Sequence, residues 1–213
     1  MSKTIIDLHV HTKKLSPCSE MTPEEAAVQA KEMGLHGICF AEHNKPWDTY
    51  ELSTIQERHK IKIFQGIEVD TTEGHVVVFG LQRHFQGITP IEDLRRMADE
   101  EGGFMIAAHP FRGFLIFGFS KLRMNADDAL KNPLFQFVDA METFSGRQTT
   151  KENDFSSQVC ERLNLKSVGG SDAHSTKDIG KCVTIFENSI ESQDDLLKEL
   201  KEGNFAAGYF QDV

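Results

Sequence analysis

Apolar and polar positions alternate along this chain in short blocks that change period about every fifteen residues. Ile5, Ile6 and Leu8 form a brief apolar run suited to an inner strand. After a polar loop, Thr22-Pro23-Glu24-Glu25 supplies an N-cap, a proline at the first helical position and a capping-box glutamate, so a helix is expected to about Met33. Leu35 to Ala41 reads as a second strand ending in Glu42-His43, Asp48 to Lys60 as a helix, and Ile61 to Ile67 as a third strand with Glu68 at its exit. Gly74 to Gly80 reads as another strand, opening on His75. Thr89-Pro90-Ile91-Glu92 repeats the capping pattern before a helix that should end near Gly102-Gly103. Strands follow at Phe104 to Ala108, Phe137 to Met141 with Glu142 at its end, Leu165 to Gly170, and Cys182 to Phe186. Helices are expected at Asn153 to Leu163 and Ser192 to Leu200, the latter with Asp195 three residues after a serine cap.

About seven short strands alternating with helices argue for a parallel α/β architecture. Polar residues stand at nearly every strand exit, which favours a barrel, whose strands open on one shared mouth, over an open sheet. With 213 residues and no Pro/Gly/Ser-rich linker, one domain spanning 1–213 is expected.

Composition narrows the chemistry. Apolar residues are 39% and charged residues 26%, ordinary for a globular protein. The net charge of −10, from 23 Lys and Arg against 33 Asp and Glu, argues against a broad nucleic-acid surface while leaving room for a nucleotide or strand end in a metal-rich pocket. Cys18, Cys39, Cys160 and Cys182 are widely spaced and signal neither a zinc knuckle nor a disulfide scaffold. The polar opening and the lack of a run of about 20 apolar residues lead to the expectation of a cytoplasmic protein with no membrane partner.

The nine histidines carry the functional signal. On an extended backbone His9 and His11 point to one side, roughly 6.5 Å apart at Cα, while Val10 packs the other face. Asp172 and His174 repeat that spacing in Asp-Ala-His. Together with His43, Glu68, His75, His109 and Glu142 they make a mixed imidazole and carboxylate set suited to Zn, Mn or Fe rather than to magnesium. A central Glu68 could bridge two metals about 3.5 to 4 Å apart and hold a hydroxide between them. Arg112 and Arg147 follow the exits marked by His109 and Glu142, and either could clamp a phosphate. His36, His59 and His84 fall outside this set.

Asp7-Leu8-His9-Val10-His11-Thr12, Ala41-Glu42-His43, Gly66-Ile67-Glu68, Gly74-His75, Ala108-His109-Pro110-Phe111, Glu142 and Gly170-Ser171-Asp172-Ala173-His174 together resemble the PHP (polymerase and histidinol phosphatase) superfamily, and within it the small stand-alone metal-dependent phosphoesterases. The resemblance implies a distorted (β/α)7 TIM-like barrel, two or three divalent metals at its mouth, and hydrolysis of a phosphate monoester or phosphodiester by in-line attack of a metal-bridging hydroxide. It implies one metal on His9, His11, Glu68 and Asp172, a second on Glu68, His75 and His109, and a third at His43 and His174. Either of the last two histidines, where not committed to metal, or a metal-bound water could protonate the leaving group. The loop from Lys13 to Glu20 departs from the family pattern, lacking the usual His or Asp and offering Cys18 and Glu20 instead.

Two other readings are carried forward. An amidohydrolase-like enzyme would also use His-x-His on a first barrel strand, although it commonly joins its metals with a carboxylated lysine. A noncatalytic metal-binding module could use the apolar 111–119 segment as its contact, and the same segment could cover a pocket or join subunits of a homo-oligomer.

Overall fold

The computed structural model describes residues 3–113 and 126–213. The elements are β1 (Thr4–Val10), α1 (Pro23–Met33), β2 (Gly37–His43), α2 (Thr49–His59), β3 (Lys62–Thr71), β4 (Gly74–Phe79), α3 (Ile91–Glu101), β5 (Phe104–Ala107), β6 (Ala140–Ser145), α4 (Thr150–Leu163), β7 (Lys166–Gly170), β8 (Cys182–Phe186), α5 (Gln193–Glu202) and β9 (Phe205–Tyr209). All nine strands join one sheet in the order β7-β6-β5-β4-β3-β2-β1-β8-β9.

The sheet curls into an almost closed barrel whose interior is apolar at depth. Leu8, Ala41, Phe64, Val77, Ile106 and Val168, from six different strands, meet there, and Leu196 and Leu200 of α5 close one end. Helices α1 and α2 cover the outer face of β1–β3, while α3 and α4 cover the face from β3 to β6. Each buried aliphatic or aromatic side chain in these layers contributes about 1.5–3 kcal/mol.

Strands β1–β3 are parallel, as are β5–β7, but β4 runs antiparallel to both its neighbours, so the sheet is mixed rather than all-parallel. The cause is local. Only Thr72 and Glu73 separate β3 from β4, enough for a hairpin and far short of the dozen residues a parallel crossover needs. Reversal brings the first residues of β4, not its last, to the mouth where the parallel strands end. His75 at a strand start therefore joins residues at strand exits.

Ladder hydrogen bonds are missing between β7 and β8, and other contacts close that seam. The Thr184 hydroxyl accepts from Gly169 N–H and donates to Gly169 C=O, both at 2.9 Å. Nearer the mouth, Val10 bridges to Ala173, with His11 N–H donating to Ala173 C=O at 2.9 Å.

Several expected boundaries move. Glu68 lies within a ten-residue strand instead of at its exit, and β6 begins at Ala140 because Pro133–Gln136 forms a 3-10 turn. Helix α3 has Pro90 as its N-cap with no side-chain bond, since the backbone of Thr89 is committed to bridging β3. Helix α4 starts three residues early, at a capping box of Thr149 and Glu152. Of the apolar 111–119 segment, residues 114–119 lie outside the described residues. Among the described residues no helix is long and apolar enough to cross a membrane.

Candidate metal centre

The barrel mouth collects polar side chains from every strand from β1 to β7. A register irregularity in β1 between Asp7 and Val10 lets both Leu8 and His9 face inward, after which Val10 packs into the layer under α1 and His11 returns to the mouth. His43 is the last residue of β2 and pairs with Glu68 across the sheet. Asp70 and His75 are likewise paired across the β3–β4 hairpin. His109 follows β5, Glu142 lies in β6, and Asp172 and His174 follow β7. His109 and Asp172 adopt positive φ values of 31° and 49°, a conformation that is costly for such side chains and recurs at functional sites.

Glu68 is the centre. Its side chain is 1% exposed, with Oε1 at 2.9 Å from His109 Nε2 and 3.0 Å from His75 Nδ1. Its Oε2 lies 3.0 Å from His43 Nδ1, 3.3 Å from His11 Nε2 and 3.6 Å from His9 Nε2. Despite these neighbours Oε2 makes no hydrogen bond of good geometry. His9 Nε2 and His11 Nε2 stand only 3.0 Å apart. Ring nitrogens thus crowd around Oε2 without a hydrogen bond of good geometry, which is the arrangement a cation would resolve.

Among the described residues, three groups of ligand atoms, each within 4.8 Å of one another, could hold a metal ion: His9, His11 and Asp172; His9, Glu68 and His109; and His11, His43 and His174. The donors are imidazole and carboxylate, and they fit Zn, Mn or Fe. His75 and Glu142 stand outside these groups. His75 turns Nε2 toward Asp70 Oδ1 at 3.3 Å, and Glu142 lies behind His9, with Oε1 at 3.3 Å from Nδ1, leaving Nε2 to face the cluster. Glu142 Oε2 also accepts from His109 N–H at 2.7 Å.

The electrostatics suit displacement of protons by metal. Burial opposes charge on His9, but the carboxylates of Glu142 and Glu68 outweigh it and hold its pKa well above the usual value. His11 is raised in the same way, burial being overcome by Asp172 and Glu68. Burial would raise Glu68, yet the charge of His9, the bond to His109 and the close imidazoles of His11 and His43 hold it well below the carboxylate range. Asp172 is lowered likewise, against burial, by His11, His9 and His109. His174 is pushed down to about 4 by burial and by the charge of His11.

Beyond the nine metal candidates stand carboxylates whose roles the sequence pattern did not reveal. Asp7 is fully buried and accepts from the Ser171 hydroxyl and from the amides of Ser171, Gly180 and His9, tying β1 to the loop bearing Asp172 and His174. Burial pushes its carboxyl up to about 6 even so. Glu42 accepts from Thr12, Ser16 and Trp47. Ser16 in turn accepts from His43 N–H, and Ser19 donates to the carbonyls of His11 and His174, so the loop after His11 is strapped over the third group. Their place next to the histidine motifs was the available signal. Cys18 and Glu20 in this loop are exposed and join none of the three groups.

The two arginines differ. Arg112 forms an ion pair with Asp172 Oδ2, and Arg147 is exposed with no ion pair among the described residues. His36, just before β2, accepts from Ile5 N–H at 3.1 Å and joins none of the three groups.

A family model described as PHP domain matches residues 7–107, and one described as PHP-associated matches residues 150–205. The uncharacterized protein MJ1587 of Methanocaldococcus jannaschii is 30% identical over 115 residues, 49% of this chain and 67% of that protein. Among solved structures, PsfC from Pseudomonas syringae superposes with a TM-score of 0.67 at 21% identity, covering 98% of this chain and 92% of PsfC. A two-domain protein from Bacteroides vulgatus, described as containing a predicted PHP-like metal-dependent phosphoesterase, superposes with a TM-score of 0.73 at 19% identity, over 98% of this chain and 65% of that protein. At these identities the structural likeness is one of fold.

Proposed function

The chain belongs to the PHP domain family, and from that membership we propose that it is a metal-dependent phosphoesterase, cleaving a phosphate monoester or diester of a small molecule or a nucleic-acid end at the barrel mouth. The observation that carries this reading is Glu68, a buried carboxylate among five imidazoles with one oxygen left without a hydrogen bond. His9, His11, Glu68 and Asp172 would hold one divalent cation, Glu68 and His109 with His75 a second, and His43 and His174 with His11 a third. Such cations, when bound, lower the pKa of coordinated water toward neutrality and neutralise charge on phosphoryl oxygens.

The other residues supply orientation and protons. Glu142 fixes the ring of His9 through Nδ1 so that Nε2 faces the ligand cluster. Where no cation occupies the third position, His43, 30% exposed at the rim, is better placed to protonate a leaving oxygen than His174, whose Nδ1 is tied to the carbonyl of Asp172 at 2.9 Å. Arg147, exposed and without an ion pair among the described residues, is the guanidinium free to meet a phosphate, and Arg112 is 36% exposed while bound to Asp172. Among the described residues no lysine pairs with Glu68 or Asp172, which favours a carboxylate bridge over the carboxylated lysine of amidohydrolases.

The test is turnover of bis(p-nitrophenyl) phosphate and p-nitrophenyl phosphate by protein loaded with Mn or Zn. Metal-dependent release of nitrophenol, lost with EDTA, is expected, with no turnover of a cyclic amide. Turnover of the amide alone would reassign the chemistry. Undiminished hydrolysis by folded His9→Ala and Asp172→Ala variants would remove this cluster from the reaction.

A further inference from the structure

Asp172 divides its two oxygens between different partners. Oδ1 faces the imidazoles, 3.3 Å from His11 Nε2 and 3.8 Å from His9 Nε2. Oδ2 receives Nη1 of Arg112 and stands 3.8 Å from His109 Nε2. The carboxylate is 1% exposed, so the guanidinium is its main compensation on the side away from His11.

The turn that presents Arg112 is fixed at several points. Arg112 N–H donates to His109 C=O at 3.0 Å, and Phe111 N–H donates to Gln148 Oε1 at 3.1 Å. The Phe111 ring packs against Phe135 and Phe155 at centroid distances of 6.1 and 4.8 Å. The guanidinium therefore reaches from the end of β5 across β6 to the loop after β7, from an anchored base.

Resting on the metal-dependent reading above, we propose that Arg112 is a positioning residue for metal capture, holding Asp172 so that only Oδ1 is offered to a cation. A carboxylate free to rotate presents either oxygen or both, whereas a charge-assisted hydrogen bond on Oδ2 removes that freedom. Asp172 sits at φ 49°, a sparsely populated backbone conformation that persists only where surrounding contacts, such as the one to Arg112, hold it. Arginine suits the task because its charge is permanent and its N–H groups point in fixed directions, which a lysine ammonium lacks.

The experiment titrates Zn or Mn into metal-stripped wild-type, Arg112→Met and Arg112→Lys proteins by calorimetry, with circular dichroism to establish folding. Arg112→Met is expected to lose about 10–100-fold in affinity for one ion, as when an outer partner of a ligand is removed, and Arg112→Lys to recover part of that loss. Should Arg112→Met not fold, Arg112→Leu, which likewise offers no donor, takes its place with the same expectation. Affinity equal to wild type overturns the proposal and leaves Arg112 to act on substrate alone, seen as a change in KM. Tighter affinity also overturns it, since the guanidinium would then compete with the metal. A wild-type protein that takes up no metal overturns the metal-dependent reading itself, an outcome visible before any variant is compared.

Discussion

Taking the Glu68 carboxylate out of water costs several kcal/mol unless partners offset it, and here five imidazole nitrogens and any bound cation do so. Glu68→Gln keeps the shape and removes the charge. It is expected to abolish metal retention and to lower phosphoester turnover beyond the roughly 10–100-fold typical of losing an outer partner, measured by elemental analysis and assay. Glu142→Gln changes such an outer partner, because Glu142 faces His9 Nδ1 and the His109 amide. A fall of about 10–100-fold in metal affinity with unchanged circular dichroism is expected, read by competition with a chelator. Arg147→Ala should raise KM about 10-fold and leave kcat unchanged, since a hydrogen bond to a charged group is worth roughly 1.5–3 kcal/mol. A kcat effect without a KM effect would place Arg147 elsewhere in the reaction.

At the scale of elements, two irregularities position the site. The shift in β1 lets two successive residues face inward, so His9 and His11 reach the mouth although Leu8 already lies in the interior. The reversed β4 delivers His75. Close packing between β1 and β7 then depends on small residues: a Cβ on Gly170 would lie 2.6 Å from His9 Cβ and 2.7 Å from Glu142 Oε1. Gly170→Ala should thus displace the strand bearing His9, costing about 1–3 kcal/mol of stability and, on the proposed reading, weakening metal binding. Gly208→Ala in β9, whose Cβ would come no closer than 3.9 Å to Ile185, is the matched control expected to do neither. Thermal melts and metal titration of the pair check this. Capping boxes at Thr22 with Glu25 and Ser192 with Asp195 were legible in the sequence, whereas the equally short box at Thr149 with Glu152 was not and the Thr89 pattern is overridden by pairing with β3, so a four-residue signal needs its surroundings to be read. Strand β9 was not legible, since Phe205-Ala-Ala-Gly-Tyr209 carries little apolar alternation and is held by its pairing with β8.

For the whole molecule, the cluster couples stability to pH and to metal. Glu68 and Asp172 have folded pKa values below their ordinary 4.5 and 3.8, so their contribution is present above those values and lost as pH falls through the lowered ones. His9, His11 and His75 are raised above 6.5, so theirs is full below 6.5 and lost as pH rises through the raised values. His174, lowered to about 4, opposes the three but is one group against them. The metal-stripped protein should therefore melt at a higher temperature near pH 5.5 than near pH 8.5. Metal should stabilise it more at the higher pH, where fewer protons must be displaced. Scanning calorimetry at both values, with and without Zn, checks the sign.

The sequence by itself determined the alternation of strands and helices, the barrel, most helix starts and the inventory of His, Glu and Asp at the mouth, because periodicity, capping and the two His-x-His and Asp-x-His spacings are local properties of the chain. Only the tertiary structure decided what each of those groups faces. That Asp7 and Glu42 fasten the loops bearing the candidate ligands, that Glu142 stands behind His9, and that Arg112 meets Asp172 all depend on contacts between residues 30 to 164 positions apart, whereas the reversal of β4 follows from the two-residue hairpin after β3. Side-chain direction at a barrel mouth is set by strand register and closure, and a shift of one residue in β1 would send His9 and His11 to the wrong face.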